Sequence, residues 1–248
     1  MKKTLFTTLA TLFATLPAFA VDYTINSLAE LKSFIDSTRN NDYSGDTIRL
    51  AADIDCGGGR FNTGDPDDYT IFKGTFDGQG HTISNFVHAS VGSDEGYGVA
   101  MFDCTETGAV IRNLTLEGSL PGTSSGAYAA PFVLAAEGPF ALQLENCHFR
   151  GVVTNYQNAA GLVGYASPGE GLSGVPSVFL TNCTVQASII STWVYTAGGL
   201  VAQGADVWAY DCSAEGEIRG GTTGGLVGEA SGGRYERSEE HTSELQSR

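Results

Sequence analysis

The chain has 248 residues, 33 of them glycine, with 42% apolar and only 17% charged residues and a formal net charge of −15. Glycine near twice its usual ~7% and a charge content below the usual ~25%, combined with plentiful Val, Ile, Leu, Phe and Tyr, exclude a disordered chain and indicate β-structure with many tight turns. The acidic excess repels nucleic acid and anionic lipid surfaces, which are excluded as partners.

Residues 1–20, MKKTLFTTLATLFATLPAFA, have a basic start, an apolar middle and a small-residue end at Ala18-Phe-Ala20. They read as a secretory signal peptide cleaved after Ala20, because the apolar run is shorter than the ~20 residues that span a bilayer. No Cys follows the cleavage site for lipid attachment, and no later stretch suits a transmembrane helix, so the protein is expected outside the cell or on its surface. Setting aside two basic residues of the leader, and two basic and three acidic residues of 237–248, leaves nine basic and 25 acidic residues, about −16.

Residues 21–96 are expected to form an N-terminal cap and the first strands. "INSLAELKSFIDSTRNND" is the one convincing helix: Ser27 and Glu30 make a capping box, and Leu28, Leu31, Phe34 and Ile35 form an apolar stripe. The strand "DTIRLAADIDC" and the segment "FKGTFDGQGHTISNF" follow.

From 97 to 236 the chain repeats itself. One motif is a Gly/Ala-rich lead into a short apolar strand: "AAGLVGYA" at Leu162, "AGGLVAQG" at Leu200, "TGGLVGEA" at Leu226, and looser copies at Phe132 and Phe102. A second motif interleaves with it, in "VIRNLTLEG" (Asn113), "QLENCHFRG" (Asn146), "FLTNCTVQA" (Asn182) and "AYDCSAEG" (Asp211). Each unit holds short period-2 strands without a helical pattern or recurrent hairpin turns, which favours a right-handed parallel β-helix with one rung per unit over a sandwich or propeller. The fold expected is therefore all-β, a right-handed parallel β-helix solenoid with a short N-terminal capping helix. Asn113, Asn146, Asn182 and Asp211 should occupy one corner in left-handed backbone conformation, their side chains bonding from rung to rung. Leu114, Cys147, Cys183 and Cys212 should follow as an inward ladder.

Five cysteines in an exported chain invite disulfides, but three share one ladder position, and neighbours on parallel strands lie ~4.8 Å apart, beyond ideal Cβ spacing. They are expected as small buried apolar residues. Cys56 and Cys104 precede the ladder; a disulfide between them and two free thiols are both compatible with the sequence.

"DIDC", "FKGTFDGQGHTISNF", "IRNLTLEG" and the repeated "GGLVG" resemble the GLUG-motif group of exported bacterial proteins, over nearly all of residues 22–236. The resemblance implies a pectin-lyase-like β-helix, often adhesin-like. It departs from the motif where Cys replaces an apolar residue at Cys56, Cys147, Cys183 and Cys212. GLUG repeats also occur in large secreted peptidases, but the chain has no HExxH motif and no recognisable nucleophile signature.

No catalytic, cofactor-binding or metal-binding residue is assigned. A polyuronate lyase needs its basic groups gathered in one groove, whereas Arg112, Arg150 and Arg219 fall singly in different units, and Arg112 and Arg150 differ in register from the Asn corner. Asp65, Asp67 and Asp68 form the densest acidic cluster, but without the spacing of a calcium loop they read as a solvated turn. His81 reads as packed at a turn, and His88 and His148 have no acidic or nucleophilic partner in sequence. Tyr156, Tyr165, Trp193, Tyr195, Trp208 and Tyr210 lie in loops or near strand ends; exposure for stacking on sugars and simple edge packing stand even for each. The leading function is a secreted or cell-surface, adhesin-like binding or structural module for extracellular glycans or other cell-surface components. The alternatives are a polysaccharide-active lyase or hydrolase, and the non-catalytic repeat region of a larger peptidase.

Leu226 is followed, 11 residues later, by position 237, where the next corner residue is due, yet RSEEHTSELQSR is small, polar and charged except for Leu245. Eleven of these residues, RSEEHTSELQS, resemble the translation of a common sequencing adapter. Residues 237–248 are accordingly expected to be a non-native tail without function, cutting the repeats in mid-rung, with the natural protein continuing beyond Glu236.

Overall fold

A computed structural model describes residues 20–59, 70–87, 98–122 and 126–236, and the backbone of 239–247. The leader up to 19, the acidic cluster at Asp65, Asp67 and Asp68, and His88 lie outside the described residues.

Strand β1 (Asp22–Ile25) leads into helix α1 (Leu28–Ser37), which is followed by β2 (Thr47–Leu50) and β3 (Ile54–Asp55). Successive turns of the chain are then β4 (Ile71–Phe72), β5 (Thr75–Asp77) and β6 (Thr82–Val87); β7 (Gly98–Val99), β8 (Phe102–Thr105) and β9 (Ala109–Pro121); and β10 (Tyr128–Ala129), β11 (Val133–Glu137) and β12 (Leu142–Asn155). The next comprises β13 (Asn158–Ala160), β14 (Val163–Ser167), β15 (Val178–Thr181) and β16 (Thr184–Ser191), followed by β17 (Thr196–Gly198), β18 (Val201–Ala205), β19 (Val207–Tyr210) and β20 (Ser213–Gly220). The last turn is β21 (Thr222–Gly224), β22 (Val227–Ser231), β23 (Arg234–Glu236) and β24 (Glu239–Ser247).

Every strand pairing among the described residues is parallel. The strands form a 13-stranded long sheet, a five-stranded sheet (β7, β10, β13, β17, β21) and a six-stranded sheet (β4, β8, β11, β14, β18, β22). From β10 onward each turn of chain adds to all three sheets on the turn before it, which is a parallel β-helix. The alternating pattern supplies the interior. Ile48, Phe76, Ile111, Leu144, Leu180 and Ala209 stack in register along the axis, and all are fully buried.

The corner forms as the spacing requires. Asn113, Asn146, Asn182 and Asp211 all have φ of 52–53°. Asn182 Nδ2 donates to Asn146 Oδ1 (3.0 Å), Asn146 Nδ2 to Asn113 Oδ1 (3.1 Å), and Asn113 Nδ2 to Asp77 Oδ1 (3.1 Å). Leu114, Cys147, Cys183 and Cys212 follow as a buried column.

The Gly-Gly of the repeat has a steric origin. An ideal Cβ on Gly198 would lie 1.9 Å from the Val201 carbonyl oxygen, and one on Gly224 equally close to that of Val227, so the chain creases too sharply at these two turns for a side chain, whereas Ala160, in register with Gly198 on the turn before, carries one. The second glycine serves stacking: a Cβ on Gly161 would lie 2.1 Å from Gly199 O, and one on Gly199 1.8 Å from Gly225 O. Each glycine therefore makes room for a carbonyl of the next turn.

Helix α1 closes the N-terminal end. Ser27 Oγ accepts from the Glu30 N–H (3.3 Å), and Glu30 reaches back to the Asn26 N–H rather than to that of the cap residue. Phe34 inserts among Tyr43, Phe72, Phe76 and Phe102 with ring centroids 5.1–6.2 Å apart, covering core that would otherwise face water. At the other end, Tyr210 pairs with Glu236 and Ser213 with Glu239, while position 237, where the next corner residue is due, lies outside the described residues. The expected end of the strand pattern at 237 is not seen in the backbone, for 239–247 runs beside β20 with one register shift. The reason is that an edge strand offers main-chain partners to any extended segment, whatever its side chains.

None of the five cysteines is in a disulfide, and all are buried. Burial pushes the Cys56 thiol up to about 11, and Cys183, buried against Cys147, titrates still higher. None should react with an aromatic disulfide reagent at pH 8 in the folded protein, and all five should react in guanidinium; a thiol titrating rapidly without denaturant would contradict the buried column.

Candidate binding surfaces

The six aromatic side chains expected in loops or near strand ends divide into three groups. Tyr156, Trp193 and Tyr195 are outside strands and Trp208 and Tyr210 near the ends of the short β19, as expected, whereas Tyr165 is in the middle of β14. The difference arises because period-2 strands on a solenoid face solvent with every second residue, so a strand position can be as accessible as a loop.

The first group sits where the chain leaves the long sheet. Trp193 is 50% exposed, Val194 66% and Tyr195 39%, and Tyr156 packs on Trp193 with ring centroids 5.1 Å apart. Their loop is held at both ends by buried amides. Thr192 N–H donates to Asn155 O (2.8 Å), and Asn155 Nδ2 donates to the carbonyls of Gly126 and Asn158 (2.9 Å each). Asn158 Oδ1 in turn accepts from the Thr196 N–H (3.1 Å). Gly221 completes the seat: its N–H donates to Tyr195 O (2.7 Å), and a Cβ on it would meet Val194 O at 2.2 Å.

The second group is a column on the outer face of the long sheet. Gln143, Phe179, Trp208 and Arg234 are in register on successive turns. Phe179 lies 6.2 Å from Trp208 and 5.3 Å from Tyr210 between centroids, and the Arg234 guanidinium caps the Trp208 ring at 4.7 Å. These rings largely spend their faces on one another. Phe179 was not singled out from sequence, although it stands three residues before Asn182 just as Trp208 stands three before Asp211.

The third group lies on the six-stranded sheet. Tyr165, Gln203 and Glu229 are in register on β14, β18 and β22, with Tyr128 5.8 Å from Tyr165 between centroids. Tyr128 Oη donates to Gln203 Oε1 (2.5 Å), and Gln203 Nε2 donates to Glu229 Oε2 (2.9 Å). Burial pushes the Tyr128 phenol up to about 12, with Tyr165 and Glu229 adding to it, so it stays a neutral donor.

The arginines are dispersed, as their spacing suggests. Arg112 Nε is 2.9 Å from Asp77 Oδ2 before the Asn corner, and Arg150 Nη1 is 3.0 Å from Glu117 Oε1 after it, while Arg219 pairs with Glu217. His81 Nδ1 meets Asp53 Oδ1 at 3.1 Å at a turn, and the Thr82 N–H together with His81 holds the Asp53 carboxyl below its usual range. His148 bridges Thr184 Oγ1 (2.7 Å) and Asn146 Oδ1 (3.1 Å). Burial, aided by Arg150, pushes its imidazole down. Among the described residues no three His, Cys, Asp or Glu side chains are grouped to hold a metal ion, and no helix is long and apolar enough to cross a membrane.

Part of the chain is similar to halomucin of Haloquadratum walsbyi, with 32% identity over 165 residues. The match covers 57% of this chain and 2% of halomucin. No family model matches the chain, and no solved structure matches it.

Proposed function

We propose that the chain is an adhesin-like binding and structural module of a secreted or cell-surface protein, its β-helix displaying side chains toward extended glycans or other surface components. Its "GGLVG" and Asn-containing repeats are read as GLUG-type, and its leader as a secretory signal. The likeness of part of the chain to halomucin supports surface placement.

The observation that carries the binding role is the exposed Trp193–Val194–Tyr195 loop, seated on buried amides and on Gly221. A rigid loop presenting half-exposed rings loses little conformational entropy on binding, and its rings offer flat apolar faces to the C–H faces of sugars. The long sheet beneath supplies further in-register rows along an extended ligand.

Retention of the protein on insoluble cell-wall polysaccharides is the test. The intact chain should be retained, and joint Trp193→Ala and Tyr195→Ala replacement should lower retention at least ~10-fold, since aromatic anchors contribute ~2 kcal/mol or more at such contacts. No new reducing or unsaturated ends should appear in the polysaccharide. Unchanged retention by the variant, or turnover, would contradict the proposal.

A further inference from the structure

The six-stranded sheet carries a second surface, distinct from the aromatic loop. Tyr165 divides two open depressions on its outer face. One, of about 250 Å³, is lined on its polar side by Gln203, Glu229 and Ser231; the other, of about 380 Å³, by Glu137 and Ser167. Glu137 and Glu229 stand three strand steps apart, from β11 through β14 and β18 to β22, and two residues out of register, or about 16 Å at ~4.8 Å per step and ~3.3 Å per residue. The two depressions thus form one trough long enough for several sugar rings, with a tyrosine at its middle and a carboxylate at each end.

The chemistry of the trough is one-signed. Strands β4, β8, β11, β14, β18 and β22 contain no lysine or arginine. Gln203 is fixed on both sides: the Tyr128 hydroxyl occupies its carbonyl oxygen and Glu229 takes its N–H, so the polar wall is set before any ligand arrives. The exposed Glu229 side chain keeps lone pairs for a ligand, as does exposed Glu137. A tyrosine face bordered by carboxylates attracts a cation through the ring quadrupole and by direct charge, while it repels a uronate.

We propose that this trough binds a saccharide bearing protonated amino groups, its ammonium groups at Glu137 and Glu229 and a sugar ring on Tyr165. The proposal rests on the reading of the chain as a glycan-binding module and names a ligand class at a site separate from Trp193.

The experiment is calorimetric titration of the full chain with a glucosamine hexamer, its N-acetylated counterpart, an oligogalacturonate of equal length, and spermine. The glucosamine hexamer should bind at least ten-fold tighter than each of the other three. Tyr165→Ala and Glu229→Gln should each weaken it at least ten-fold with an unchanged far-ultraviolet spectrum, and Trp193→Ala should leave it unaltered. Equal binding of the N-acetylated hexamer or of spermine, no binding of the glucosamine hexamer, or indifference to Glu229→Gln would overturn the proposal. Hexamer binding that survives in the Trp193→Ala, Tyr195→Ala variant while wall retention is lost would separate the two surfaces. Wall retention that survives in that variant would refute the loop while leaving the trough standing.

Discussion

Gly199→Val is expected to abolish soluble, cooperatively folding protein. The Cβ it introduces would start 1.8 Å from Gly225 O and 2.6 Å from the Ala214 Cβ, and neither neighbour is the free end of a flexible side chain. The first is the backbone of the following turn, and the second is a buried residue of β20. Relieving the clash means separating two turns at the crease, which breaks the Gly199 N–H to Gly224 O bond (3.2 Å) and opens the core around Leu200. Overpacking by a single carbon costs about 1–3 kcal/mol, and losses above about 4 kcal/mol accompany clashes with backbone. Gly199→Ala should therefore lower the unfolding free energy measured in urea by about 3 kcal/mol, and the valine variant should accumulate as insoluble protein. Gly59→Ala is the control: its nearest atom beyond its chain neighbours is Cys56 O at 3.9 Å, and the change should stay within about 0.5 kcal/mol. A Gly199→Val protein with a wild-type midpoint would mean that the turns do not approach as described.

The same glycines explain how much of the architecture could be read from the chain. Gly-Gly before Leu-Val, recurring around an Asn that precedes a small apolar residue, is informative because each position answers one geometric demand: the crease, the stacked carbonyl, the left-handed corner and the inward column. The pattern is readable wherever a turn repeats these demands. It fades at "PFVLAA", where Pro131 replaces the second glycine. It is also silent on Asn85, which adopts φ 52° and donates to Asp55 Oδ1 (2.8 Å) outside the spacing of the other corner residues.

The binding surfaces were less legible for a related reason. Tyr165, Gln203 and Glu229 each stand three residues after the leucine of "AGLVG", "GGLVA" and "GGLVG". A repeat reveals what it conserves, the scaffold, and hides what it varies, the outward side chain. Once the register is known the variable position becomes a column, and its residues can be read as a surface. The anchoring of Trp193 was hidden in another way: Asn155, Asn158 and Gly221 belong to different turns, so no local window contains the seat of the loop.

The corner ladder yields the second large effect. Its hydrogen bonds have a direction: Asn182 donates to Asn146, Asn146 to Asn113, and Asn113 to Asp77, a residue that only accepts. Burial raises the Asp77 carboxyl, but the Asn113 amide, the Gln79 N–H and Arg112 outweigh it and hold the group below its usual range, so it remains an acceptor at the foot of the ladder. Asn146 is the residue with most to lose. It donates to Asn113, its oxygen receives Asn182 and His148, and its backbone is left-handed at φ 52°. Asn146→Gly keeps the backbone and removes the amide; with each net hydrogen bond worth about 1 kcal/mol and partners left half-buried, a loss of about 2 kcal/mol is expected. Asn146→Leu removes the amide and also forces a branched side chain into the left-handed region, adding about 1–2 kcal/mol. Asn146→Asp keeps the shape and the backbone tolerance but faces the Asn113 oxygen with another acceptor, so it should fall between the two. The order expected for the urea midpoints is wild type, Gly, Asp, Leu. A leucine variant as stable as the glycine variant would show that the corner does not require its left-handed residue, and equal midpoints for all four would remove the ladder from the account of how the turns are held in register.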